Sequence, residues 1–189
     1  MLHAAFVVAA SCCLLLPGAR PVVANVHIEA PRGEGAAADK WAPLRFLLGT
    51  WEGTTNGQPG DGSVRRQYRL VLREHFIEVH NASTYPPQEK NAKGEAHEDI
   101  GYISYDRSRT AFVLRQFHVE GFVNSYVTGP NPTPPVVFTS EGIENIPSGW
   151  RARETYRVIS DDEFVEVFEL AEPGKEFTLY SETRLKRGK

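Results

Sequence analysis

The sequence predicts an all-β fold, a single antiparallel up-and-down β-barrel of about ten strands with a short helical turn before the first. Three observations carry that expectation. Short runs of alternating apolar and polar residues recur from residue 49 to the end, with turn residues between them. No long amphipathic helical pattern interrupts them. A meander of that many strands leaves unpaired edges unless it closes on itself.

The elements follow in order. Residues 1–24 form the signal segment: an apolar run over 4–16, then Pro17-Gly18, then Val22-Val23-Ala24 as a small-residue cleavage site. Both cysteines, Cys12 and Cys13, lie inside it. A cut after Ala24 leaves a mature chain without thiols, while lipid anchoring at Cys12 is the alternative processing route. That cut also removes Arg20, leaving 20 basic against 24 acidic residues, a net of -4. The expected location is periplasmic or secreted. Residues 25–42, with Pro31, Gly33, Gly35 and an alanine run, read as a flexible leader. The barrel domain is placed at 43–187.

Within it, Leu44-Arg45-Phe46-Leu47-Leu48 reads as one helical turn and Gly49 to Gly53 as the start of the first strand. A loop is expected over 58–62 and strands over 66–72, 76–80, 100–105, 111–119 and 122–127. A polar loop over 86–98 and the proline-rich 130–135 separate these, and Gly121 marks a bend. Strands over 136–140, 150–158, 164–170 and 177–185 close the chain. Nothing in the net charge of -3 points to nucleic acid, and no apolar run after residue 24 approaches the ~20 residues of a membrane span.

Leu47-Leu48-Gly49-Thr50-Trp51-Glu52-Gly53 resembles the opening of the nitrobindin-like haem-binding barrels. More loosely it resembles the wider lipocalin and fatty-acid-binding superfamily, the calycins, in an uncharacterised bacterial branch. The resemblance implies a hollow barrel, with Trp51 stoppering its closed end as a large apolar plug. In the nitrobindin form it also implies haem and reactions of nitric oxide or peroxynitrite. Aligning the chain ends through Arg184-Leu185-Lys186-Arg187 puts Tyr180 where those proteins carry their axial histidine. Tyrosine holds haem iron in other proteins, so Tyr180 and His118 are the two candidate iron ligands.

The residues themselves give a further set of cavity candidates: Trp51, Tyr68, Arg115, His118, Trp150, Glu154 and Tyr180. On the run 111–119, one face carries Val113, Arg115, Phe117 and Val119, the other Phe112, Leu114, Gln116 and His118. Apolar content favours the first face as inward, which buries Arg115 and requires a carboxylate or anionic ligand beside it. The other choice lines the cavity with His118 and Glu120. Glu154 shares a face with Trp150 and Tyr156, and Glu166 with Phe164 and Phe168, so both acids fall on apolar faces and need partners if those point inward. They form either an internal patch that fixes the head group of a small, mainly apolar ligand or a structural ion-pair network. No nucleophile elbow, phosphate loop or histidine-rich metal signature is present, so no catalytic set is recognisable. A third reading is a filled barrel acting through surface loops. Asn81-Ala82-Ser83 fits a glycosylation acceptor.

Overall fold

The structure, a computed structural model, describes residues 39–188; the signal segment, Cys12, Ala24 and most of the leader lie outside them. Ten antiparallel strands follow a single 3₁₀ turn, Ala42–Leu47. They are β1 (Gly49–Gly57), β2 (Gly60–Val71), β3 (Phe76–Tyr85), β4 (Glu95–Asp106) and β5 (Ala111–His118). The second half holds β6 (Val123–Thr128), β7 (Val136–Glu144), β8 (Arg151–Ser160), β9 (Glu163–Ala171) and β10 (Thr178–Arg187). Each strand pairs with its sequence neighbours, and β1 pairs with β10, so the barrel is closed and has no free edge.

The alternation that predicts the strands is the alternation of burial. In β3, Ile77, Val79, Asn81, Ser83 and Tyr85 point in, while His80 and Thr84 point out. On β5 the inward face is Phe112, Leu114, Gln116 and His118. This overturns the expected orientation: Arg115 is exposed and stands opposite Tyr102 on the outer surface, with Phe117 and Val119 outside as well. Apolar content misleads here because Phe112 and Leu114 suffice for the packed half of the barrel, and the polar inward positions belong to a cavity. The expected loop over 58–62 is a two-residue connection, since β2 already starts at Gly60. Leu72 is not part of a strand; it lies in the β2–β3 turn, left-handed and exposed. Asn81 is buried on the inner face, which removes it as a glycosylation acceptor.

The two ends differ. The 3₁₀ turn closes the end where β1 starts and β10 finishes. There Trp41, Leu44, Leu47, Trp51 and Phe164 are almost wholly buried. Trp51 donates its indole N–H to the Leu47 carbonyl at 2.7 Å, meets Phe164 edge-on at 4.7 Å between centroids, and carries the Arg187 guanidinium 4.2 Å over its ring. Trp41 stacks on Phe112 at 5.5 Å and donates to the Glu74 carbonyl at 2.8 Å, so packing begins two residues before Pro43. Gly49 enters β1 at φ +118, a left-handed geometry that suits glycine. Gly53 is needed for a different reason, since a Cβ there would lie 1.9 Å from the Arg184 carbonyl oxygen of β10. The opposite end, ringed by the β1–β2, β3–β4, β5–β6, β7–β8 and β9–β10 connections, is the mouth. No helix among the described residues is long and apolar enough to cross a membrane.

Candidate functional site

Inward rows change character from the closed end to the mouth. In β3, β4 and β5 they begin with Ile77, Ile103 and Leu114 and turn polar at Asn81, Asp99 and Gln116. The register aligns these changes at one height. Arg66 pairs with Asn81, Asn81 with Asp99, Asp99 with His118, and Gln116 with Asn124. A polar girdle therefore crosses five adjacent strands, and Glu154 on β8 and Glu166 on β9 face it from the far wall. Above the packed floor the girdle opens into a cavity of about 390 Å³, within the size range of small-molecule sites. Its upper wall is largely apolar, from Phe122, Ile143, Ile146, Trp150, Phe168 and Tyr180, with Glu95, His97 and Glu120 also reaching it.

The buried cation is Arg66 rather than Arg115. Its guanidinium forks onto Glu166 at 3.3 and 3.4 Å and also donates to the Ala82 carbonyl at 3.1 Å and the Ser83 hydroxyl at 3.2 Å. Burial disfavours its charge, but Glu166 more than offsets that and keeps the arginine pKa above its ordinary value. Two inward carboxylates thus share one arginine. Glu166 holds it, and Glu154 is left with the Tyr156 hydroxyl, which donates to it. Burial, with the negative charge of Glu166 added, pushes Glu154 up to about 8, so at neutral pH it keeps its proton. Burial likewise raises the phenols of Tyr68, Tyr126 and Tyr156 well above their usual value.

Asp99 organises the other side. Asn81 and Gln116 both donate their amide N–H to its Oδ1, at 2.9 and 3.3 Å. An amide can donate to a carboxylate only through its N–H, so both amides are fixed with the nitrogen toward Asp99. Their carbonyl oxygens, buried in the cavity wall, are left without a donor, as is Asn124 Oδ1. Nearer the mouth, His97 Nδ1 meets Glu120 at 2.8 Å and its Nε2 lies 3.6 Å from Asp99 and 3.3 Å from His118 Nδ1. The contacts with Asp99 and then Glu120 raise His97 to about 9, against the effect of burial. Burial lowers His118, whose ring stacks on Phe122 at 4.0 Å and whose Nε2 is 3.1 Å from Asn124.

Of the residues expected from sequence, His118, Trp150, Glu154 and Tyr180 line the cavity together. Trp51 belongs to the floor. Tyr68 is buried below the girdle with its hydroxyl unpartnered, and Arg115 is outside. Sequence reasoning missed Arg66, Asp99, Gln116 and Asn124. Arg66 was legible, because it alternates with Val64 and Tyr68 on one face.

The barrel is similar to the crystal structure of Rv2717c from M. tuberculosis, with a TM-score of 0.61 at 17% identity, over 80% of this chain and 99% of that one. The two share the closed β-barrel fold. Designed barrels match with TM-scores of 0.41 for a de novo fluorescence-activating β-barrel and 0.43 for the redesigned barrel mFAP0 bound to DFHBI, at 14% and 8% identity and over 76% of this chain and 94% and 100% of theirs. No protein-family model matches the chain, and no curated protein matches it. The girdle gathers three inward acids, Asp99, Glu154 and Glu166, one inward arginine, Arg66, and several amide oxygens without donors.

Proposed function

We propose that the chain is an exported binding protein whose interior holds a small, mainly apolar molecule with a hydrogen-bond-donating head. The observation that carries this reading is the pair of amide oxygens, Asn81 Oδ1 and Gln116 Oε1, buried in the cavity wall with their orientation fixed by Asp99. A buried acceptor without a donor costs about 1–3 kcal/mol, and a ligand ammonium, amide or hydroxyl would remove that cost. The apolar upper wall suits a hydrocarbon body. An anionic head is disfavoured, because Arg66 already serves Glu166 while Asp99 faces the same space.

The test is a titration followed by the fluorescence of Trp150 at the mouth, comparing a long-chain alkylamine with the carboxylate of equal chain length. The amine binds at least ten-fold tighter on this reading. Equal affinity, or preference for the carboxylate, refutes it. Mass spectrometry of the small molecules that co-purify with the chain identifies the natural occupant.

The nitrobindin-like reading needs an axial donor. His118 Nδ1 stands 3.3 Å from His97 Nε2, a gap that a bare ion could bridge but a macrocycle could not enter, and its Nε2 lies against Asn124. Burial raises the Tyr180 phenol, with the negative charges of Glu95 and Glu120 adding to it, so no neighbouring cation favours its phenolate. This donor set fits haem poorly. A filled barrel acting only through its surface is disfavoured by the cavity itself.

A further inference from the structure

We propose that His97, His118 and Glu120 form a binding site for a divalent first-row transition metal ion, such as zinc, at the rim of the cavity. The inference is independent of the ligand reading. The ladder between β4 and β5 pairs Asp99 with His118 and continues one step further, where the Val119 N–H donates to the Glu98 carbonyl at 3.0 Å. That step brings His97 opposite Glu120, on the same inward face as His118. One donor atom from each of the three residues lies within 4.8 Å of the other two.

The spacing is that of ligands around a single ion. His97 Nε2 and His118 Nδ1 are 3.3 Å apart, and two nitrogens each about 2.0–2.1 Å from a tetrahedral zinc stand roughly 3.3 Å apart. Two imidazoles and a carboxylate suit zinc or iron(II), and three protein ligands leave a position open toward the cavity. The ligands are also supported from behind, as metal-binding histidines are. The His118 ring is clamped on Phe122, which leaves Nδ1 toward His97 and Nε2 against Asn124. Asn124 is 3% exposed, and its Oδ1 has no partner. Turning that amide over places the orphaned oxygen on the Nε2–H that a metal-bound His118 carries. On His97 the ion takes Nε2, and Nδ1 keeps a carboxylate within reach, since Glu120 can turn one oxygen to it and the other to the ion.

The experiment uses the full chain, stripped with chelator and dialysed against zinc alone, with cobalt(II) as a spectroscopic substitute. One zinc per chain at micromolar concentration is expected. Cobalt absorption should be that of a four- or five-coordinate site, and zinc should shift the ring signals of His97 and His118. His118→Ala and His97→Ala should each weaken binding at least 100-fold, and Asn124→Ala about ten-fold, while His80→Ala changes nothing. Glu120→Gln sits on the exposed rim, so it reports even if a histidine variant fails to fold, and it too should weaken binding at least ten-fold. Absence of stoichiometric uptake, or uptake unaltered in Glu120→Gln and the histidine variants, overturns the assignment.

Discussion

Replacing Glu154 with glutamine should flatten the dependence of stability on pH. In the barrel, Glu154 keeps its proton up to about 8, against 4.5 for an ordinary glutamate. Between those values the folded chain holds a proton that the unfolded chain has released. By linkage, the stability contributed by this group is whole below pH 4.5, falls as pH rises, and is lost above about 8. Each pH unit of that window corresponds to about 1.36 kcal/mol, so the full effect is on the order of a few kcal/mol. The amide in Glu154→Gln would keep the shape of the protonated acid and still accept from the Tyr156 hydroxyl. His97 works in the same direction between 6.5 and about 9 but is present in both proteins, so the difference between them isolates Glu154. Urea unfolding of the two proteins at intervals from pH 5 to 9.5 is the assay. The variant should gain on the parent up to about pH 8 and hold a lead of a few kcal/mol above it. Parallel curves would mean that Glu154 is already ionised in the fold, and the account of two acids sharing one arginine would be wrong.

Four further outcomes follow from the same geometry. Arg66→Met strands Glu166 as a buried charge and should cost about 3–5 kcal/mol in urea unfolding, with Arg66→Met/Glu166→Leu recovering most of it. Gly53→Ala drives a methyl group into the β10 backbone and should lower stability by about 1–3 kcal/mol, seen as a lower thermal midpoint with the barrel spectrum retained. Trp41→Ala empties the space beside Phe112 and should cost about 3–5 kcal/mol. Haemin titration should leave the Soret band of free haemin unshifted at micromolar protein, because His97 crowds the macrocycle away from His118 and burial disfavours the Tyr180 phenolate.

Strand positions were legible because period-2 burial leaves its mark on each run, and Gly49 and Trp51 announce the closed end. The girdle was less so. Which face of 111–119 points inward depends on whether the interior is filled or hollow, and apolar content alone assumes that it is filled. Arg66 stood in plain alternation with Val64 and Tyr68. The grouping of His97, His118 and Glu120 depends on the β4–β5 register. Once Asp99 faces His118, His97 must face Glu120, but no spacing within a single strand shows it.

Because strand β1 starts and strand β10 ends at the floor, both ends of the folded region leave the barrel on the side away from its mouth. A surface, resin or membrane attached through residue 39 or residue 188 would therefore hold the protein like a cup by its base. Immobilised that way, it should exchange its contents with solution as fast as the untethered protein, whereas attachment through the β3–β4 connection would throttle that exchange.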